Sequence, residues 1–132
     1  MTLLPTTRQL ETLAGSDDSA PVIMLNLLRF KDRADGVDAA DEITGAEAYA
    51  RYAEKAAPHL ERAGGKVLMA MAVQQSVIGP ADSEWDLVLA VRYPSRAAFM
   101  AMATDPDYLL VHTHREAALA DSRLIACAAV PI

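Results

Sequence analysis

Residues Val22 to Phe30 read Val-Ile-Met-Leu-Asn-Leu-Leu-Arg-Phe. A nearly continuous apolar run of strand length has no polar face to give to water. It predicts a strand covered on both sides, and therefore central in a sheet. Such a strand needs partners, and the chain offers three. Trp85 to Tyr93 alternates with a period of two: Trp85, Leu87, Leu89, Val91 and Tyr93 are apolar or aromatic, while Asp86, Val88, Ala90 and Arg92 are mixed. Lys66 to Ile78 reads as a long strand before the turn Gly79-Pro80-Ala81-Asp82. Arg123 to Val130 reads as the last strand.

Helical signals fill the gaps. Thr6 and Gln9 fit a capping box before Leu10 and Leu13, with Gly15 as a stop, which predicts a short helix over roughly residues 7–14 and a polar linker from Ser16 to Pro21. Thr44 and Glu47 form a second capping box. Beyond it Tyr49, Ala53, Ala56, Leu60 and Ala63 recur at helical spacing until Gly64-Gly65. Glu47 is expected to pair with Arg51 one turn on, and Pro58 is expected to kink the helix by removing the bond to the Glu54 carbonyl. Ser95 caps a helix with Phe99 and Met102 inward, and Asp105-Pro106 starts another that runs to about Ala120. Lys31 to Ile43 is charged and aperiodic, and is expected to be a surface loop of flap length.

With the short N-terminal helix set aside, the order is β-α-β-β-α-β. That order predicts an α+β, ferredoxin-like sandwich with a four-stranded antiparallel sheet in the order 4-1-3-2. Residues 1–20 form the N-terminal helix and linker, and 21–132 the single domain. Both helices cover one face, so the other exposes apolar side chains. The chain is 52% hydrophobic, more than one core needs, and packing that face on a second copy makes a homodimer.

Charge and cysteine content narrow the class. The formal charge is -6 and no basic stripe appears, which argues against nucleic acid and anionic membranes as partners. No apolar run is long enough to span a bilayer. Arg8 and Glu11 interrupt the only stretch that a signal peptide could use, so a cytoplasmic address is expected. Cys127, the sole cysteine, is expected to be a small buried hydrophobe.

The pieces Asn26-Leu27-Leu28-Arg29-Phe30, Tyr49, Tyr52 and Pro58, Gly64-Gly65, Trp85-Asp86, Tyr93-Pro94-Ser95, Asp105-Pro106-Asp107-Tyr108 and Arg115 stand in the order of a known family. From about Val22 to Ile125 the chain resembles the bacterial domain-of-unknown-function 1330 family of the dimeric α+β barrel superfamily. The N-terminal helix and the Lys31–Ile43 segment depart from the pattern. The resemblance implies the ferredoxin-like fold and a dimer. Relatives by fold include cofactor-free monooxygenases, muconolactone-type isomerases, haem enzymes and stress-response proteins, several with a pocket between sheet and helices.

Several residues are candidates for chemistry. Asn26 is an amide on a central strand: it either faces a ligand's carbonyl or enolate oxygen, or ties the strand to a loop. Tyr49 and Tyr52 line a cavity under the first helix or fill the core with their hydroxyls at its rim. Tyr108, His112 and Arg115 recur at i, i+4 and i+7 and make one helical stripe, suited to binding a carboxylate and moving a proton. The alternative is a solvated stripe, or Arg115 paired with Glu116 or Asp86. Trp85 is a core anchor or a pocket wall. His59 is expected near its helix end as a complement to the dipole, and Arg29 binds an anion or surfaces at its strand end. His112 and His114 point apart on a helix, so no metal site is expected, and no nucleotide motif or other cofactor signature occurs.

These features predict a cofactor-independent enzyme acting on a compact carbonyl or carboxylate compound by proton transfer, isomerisation or monooxygenation. Tyr49, Tyr52 and His112 are the catalytic candidates, and Asn26, Arg115, Trp85 and Tyr108 the ligand-binding ones. The competing expectation is a non-catalytic homodimer that binds a ligand or partner protein; a haem protein is a third, without a convincing axial histidine.

Overall fold

The computed structural model describes residues 3–15, 20–81 and 84–132. The elements run α1 (Thr7–Gly15), β1 (Val22–Phe30), a 3-10 helix (Gly36–Asp41), α2 (Gly45–Arg62), β2 (Lys66–Ala72), β3 (Leu87–Tyr93), α3 (Arg96–Ala103), α4 (Pro106–Ala118) and β4 (Leu119–Cys127). The four strands are antiparallel in the order β2-β3-β1-β4, the expected 4-1-3-2 read from the other edge. Most of the linker expected over Ser16 to Pro21, and Asp82 of the predicted turn, lie outside the described residues.

Capping chemistry sets the helix starts. Thr6 and Gln9 bond reciprocally, as do Thr44 and Glu47. Ser95 accepts from the Ala98 amide and Asp105 from the Asp107 amide, with Pro106 in the first helical turn. Gly64, at φ +75°, turns the chain out of α2. α2 runs unbroken through Pro58.

Strand bounds differ from expectation for reasons of pairing. β2 ends at Ala72, opposite Leu87, and one last bond, from the Val73 amide to the Asp86 carbonyl, closes the pairing short of the expected Ile78. β3 starts at Leu87 rather than Trp85. The Asp86 amide donates to the Leu28 carbonyl and its carboxylate accepts from the Phe30 amide, which ends the pairing. α4 stops at Ala118 and β4 follows at once from Leu119, not Arg123.

The Lys31–Ile43 segment is not a free flap. Asp38, 1% exposed, accepts from Arg51 of α2 (3.1 Å) and is bonded to Nδ1 of His114 of α4 (2.8 Å). A buried carboxylate needs such partners, and here they bind the 3-10 helix to both long helices. Arg51 therefore pairs with Asp38 and Asp41, not with Glu47.

Alternate residues of β1 point to opposite faces. Val22, Met24, Asn26 and Leu28 face the helices and are buried. The core on that side divides into two groups. Leu28 packs with Ala48, Tyr49, Ala118 and Leu119. Val22 and Met24 pack with Val91, Tyr93, Leu60, Phe99 and Met102. Asn26 lies between them on β1. The other face carries Ile23, Leu25 and Leu27 with Val88, Ala90, Met69, Met71 and Ile125, and no helix among the described residues covers it. Cys127 pairs with Ile23 on this face and is half-buried there, not in the core.

Candidate functional site

The four tyrosines of the chain gather with Arg115 between the sheet and the α2–α4 pair. Helical spacing does most of this. Tyr49 and Tyr52 sit three residues apart on α2, with ring centroids 5.3 Å apart. Tyr108, His112 and Arg115 form one stripe on α4, which packs along α2. Where the stripes meet, the Tyr52 and Tyr108 hydroxyls bond at 2.7 Å. The His112 ring lies 6.5 Å from Tyr52 and 5.9 Å from Tyr108, edge-on or tilted, and Phe30 closes the row 5.6 Å from Tyr49.

Arg115 is 7% exposed, and no carboxylate among the described residues forms an ion pair with it. Neither expected partner serves. Glu116 pairs with Nδ1 of His112 at 3.1 Å, and Asp86 caps β1. The guanidinium instead faces phenol hydroxyls, and its charge pulls on Tyr49, Tyr52 and Tyr108. Burial wins over that pull. Loss of water pushes all four phenols above the ordinary tyrosine range, so they stay protonated as hydrogen-bond donors at neutral pH. Burial, then Arg115, push His112 below the usual histidine range, against the opposing pull of Glu116, so its imidazole is neutral at pH 7. The site thus combines a fixed cation, neutral donors and a neutral base.

Asn26 is 9% exposed, and its amide nitrogen donates to the Met24 and Leu89 carbonyls at 3.3 and 3.4 Å. Those bonds are long, so the tie to the strands is weak. Its side-chain carbonyl has no protein donor among the described residues. Tyr49 belongs to the Leu28 end of the core and Tyr93 to the Val22 end, and Asn26 lies between Leu28 and Met24 on the same face of β1. Trp85 stands apart: its ring lies under the Arg123 guanidinium at 5.2 Å, and Arg123 pairs with Leu27 on the uncovered face. Arg29 is exposed at its strand end. His59 bonds Arg62 at the end of α2, and its ring also rests 5.8 Å from Tyr108. His114 turns away from His112 to Asp38. Among the described residues no three His, Cys, Asp or Glu side chains gather as a metal ion requires.

Two residues were not among the site candidates read from sequence. Tyr93 is the last inward position of β3, and its alternation was the available signal. Ser122 is buried opposite Leu28 on the helix-facing side, and nothing in the sequence marked it. Two surface concavities, of about 580 and 450 Å³, open elsewhere, beside Asp38, Arg51, Lys55 and His114 and beside Arg33 and Glu42. No described helix is long and apolar enough to cross a membrane.

Comparison with known proteins places the chain. It is 42% identical to RPA0582, a protein of unknown function from Rhodopseudomonas palustris, over 98% of both chains with a TM-score of 0.90. SnoaB from Streptomyces nogalater, a cofactor-independent oxygenase, shares the fold at 17% identity, over 86% of this chain and 96% of that one, with a TM-score of 0.56. A dimeric ferredoxin-like protein of unknown function from Bacteroides fragilis matches at 9% identity over 83% and 97%, with a TM-score of 0.52. No curated protein matches the chain. The family model for a domain of unknown function, DUF1330, matches residues 37–129, and with the RPA0582 similarity it establishes that the chain belongs to the DUF1330 family.

Proposed function

We propose that the protein is a cofactor-independent enzyme acting on a small carbonyl- or carboxylate-bearing compound held between Arg115, the tyrosines and Asn26. The observation that carries this reading is Arg115: a buried guanidinium without a carboxylate partner is costly unless an anion completes it. Arg115 and the protonated phenols surround the substrate's carbonyl oxygen, where negative charge develops. Neutral His112 takes a proton from carbon, and the C–H electron pair moves onto that oxygen as an enolate. Return of the proton to a different carbon gives isomerisation. Transfer of the enolate's electrons to molecular oxygen, with the substrate itself as reductant, gives oxygenation. The likeness to SnoaB, a cofactor-independent oxygenase, is compatible with the second course.

The working form in this proposal is a homodimer through the uncovered sheet face, where Met69, Met71 and Ile125 are about half exposed in the single chain. The dimeric Bacteroides fragilis neighbour supports this arrangement. Neither surface concavity opens at the tyrosines, which favours the alternative of a non-catalytic homodimer that binds a ligand or partner. Native mass spectrometry of gently purified protein, followed by denaturing extraction, tests both. A dimer carrying a small organic acid or carbonyl compound that is consumed on incubation in air supports the enzyme. A ligand returned unchanged under all conditions supports the binding protein, and a monomer with no ligand removes both.

A further inference from the structure

We propose that the ligand of the Arg115 site is amphipathic, with an oxygen-bearing head at Arg115 and Asn26 and an apolar body lying over Leu124 and Ala126 of β4, and that Leu124 sets the length of body accepted. This rests on the reading of Arg115 as the anion holder.

Antiparallel pairing aligns Leu28 with Ser122, Asn26 with Leu124 and Met24 with Ala126, so all six share the helix-facing side. Along β1 and the start of β4 that side is closed: Met24 is 2% exposed, Leu28 0% and Ser122 4%. Leu124 is nevertheless 48% exposed, and Ala126 is exposed as well. Cover fails abruptly at the Asn26 row. The cause is the path of α4, which runs straight into β4 at Leu119 and roofs only that end of the strand. Beyond Ser122 the inner face of β4 lies open.

The other edge strand, β2, is exposed too, but β3 separates it from Asn26. The open strip continuous with the candidate site is therefore the one on β4. It is apolar, because Asp121 and Arg123 pair with Arg29 and Leu27 and so face the other side. Water over Leu124 and Ala126 gains nothing there, while an alkyl or aryl chain leaving the head group does. The occupant that fits is a monocarboxylate with a straight or planar apolar body, rather than a short polar acid.

Isothermal titration of the full chain with straight-chain carboxylates from butanoate to octanoate tests this. In the wild type, affinity should rise about fourfold for each methylene laid on the strip. In Leu124→Asp the added carboxylate opposite Asn26 should weaken every member alike, and the gain with length should disappear. A wild-type series that is flat in length, with butanoate still bound in an Arg115-dependent manner, overturns the amphipathic ligand and leaves the anion site standing. Equal slopes in wild type and Leu124→Asp place the apolar body elsewhere and overturn it as well. Loss of the dimer in Leu124→Asp assigns the strip to a second copy and overturns it too. No binding of any member overturns both the inference and the reading it rests on.

Discussion

Replacing Arg115 by Met should make the protein more stable while abolishing anion binding. A buried cation with no carboxylate partner among the described residues bears a desolvation cost that its hydrogen bond with the Tyr49 phenol offsets only in part. Methionine fills a similar volume and bears none. Comparable replacements of buried charge by apolar groups are neutral or stabilising by about 1–4 kcal/mol. The lower half of that range applies here, because the phenols lose their pairing with the guanidinium. At roughly 2 cal/mol/K of unfolding entropy per residue, each kcal/mol shifts the melting point of a chain of 132 residues by about 3–4 °C. The expected gain is therefore about 3–10 °C, read by calorimetry in buffer free of organic acids. Adding a carboxylate ligand should raise the wild-type melting point and leave the variant unmoved. A fall of several degrees in both Arg115→Met and Arg115→Gln would refute the reasoning, for it would mean that the guanidinium ties the helices to the sheet.

Three further outcomes follow from the same geometry. Because all four phenols titrate above the ordinary range, phenolate absorbance should not appear near pH 10 but emerge together with unfolding at higher pH; the unfolded chain releases protons that the folded one keeps, so stability is lost as pH rises past about 10. Tyr52→Phe strands the Tyr108 hydroxyl and should cost about 1–2 kcal/mol in denaturant unfolding, whereas adding Tyr108→Phe should return most of that loss; additive losses would deny the bond. Leu25→Glu, at the middle of the uncovered face, should yield monomer in sedimentation with the helix content kept, and an unaltered dimer would place the interface elsewhere.

The order of elements and the sheet topology were legible because each depends on local pattern: the apolar run of β1, the alternation of β3, the capping boxes of α1 and α2. What pattern could not supply was pairing between distant residues. The end of β2 at Ala72 depends on where β3 begins, and β3 begins where Asp86 turns to cap Phe30. The 3-10 helix depends on Asp38 reaching Arg51 and His114, which are remote in sequence. The stripe of Tyr108, His112 and Arg115 was legible as spacing, and so were Tyr49 and Tyr52. Their meeting was not, since it needed α2 and α4 to pack face to face. Trp85 looked equivalent by alternation, yet it stacks under Arg123 because it precedes the paired part of β3. That no carboxylate among the described residues pairs with Arg115 is a property of three dimensions alone.

The junction at Ala118–Leu119 has a bearing on how the chain can vary. Gly45 is packed so closely on the Lys31 and Ala118 carbonyls there that a methyl group has no room. A residue added between the helix and the strand would swing Arg115 about 100° around α4 relative to β4, or else send Leu124 and Ser122 to the far side of the sheet. Neither shift can be absorbed locally. Lineages of this protein should therefore accumulate insertions and deletions in the exposed stretch after Ala72, where no ladder keeps count, and hold the helix-to-strand junction at constant length even as its side chains diverge.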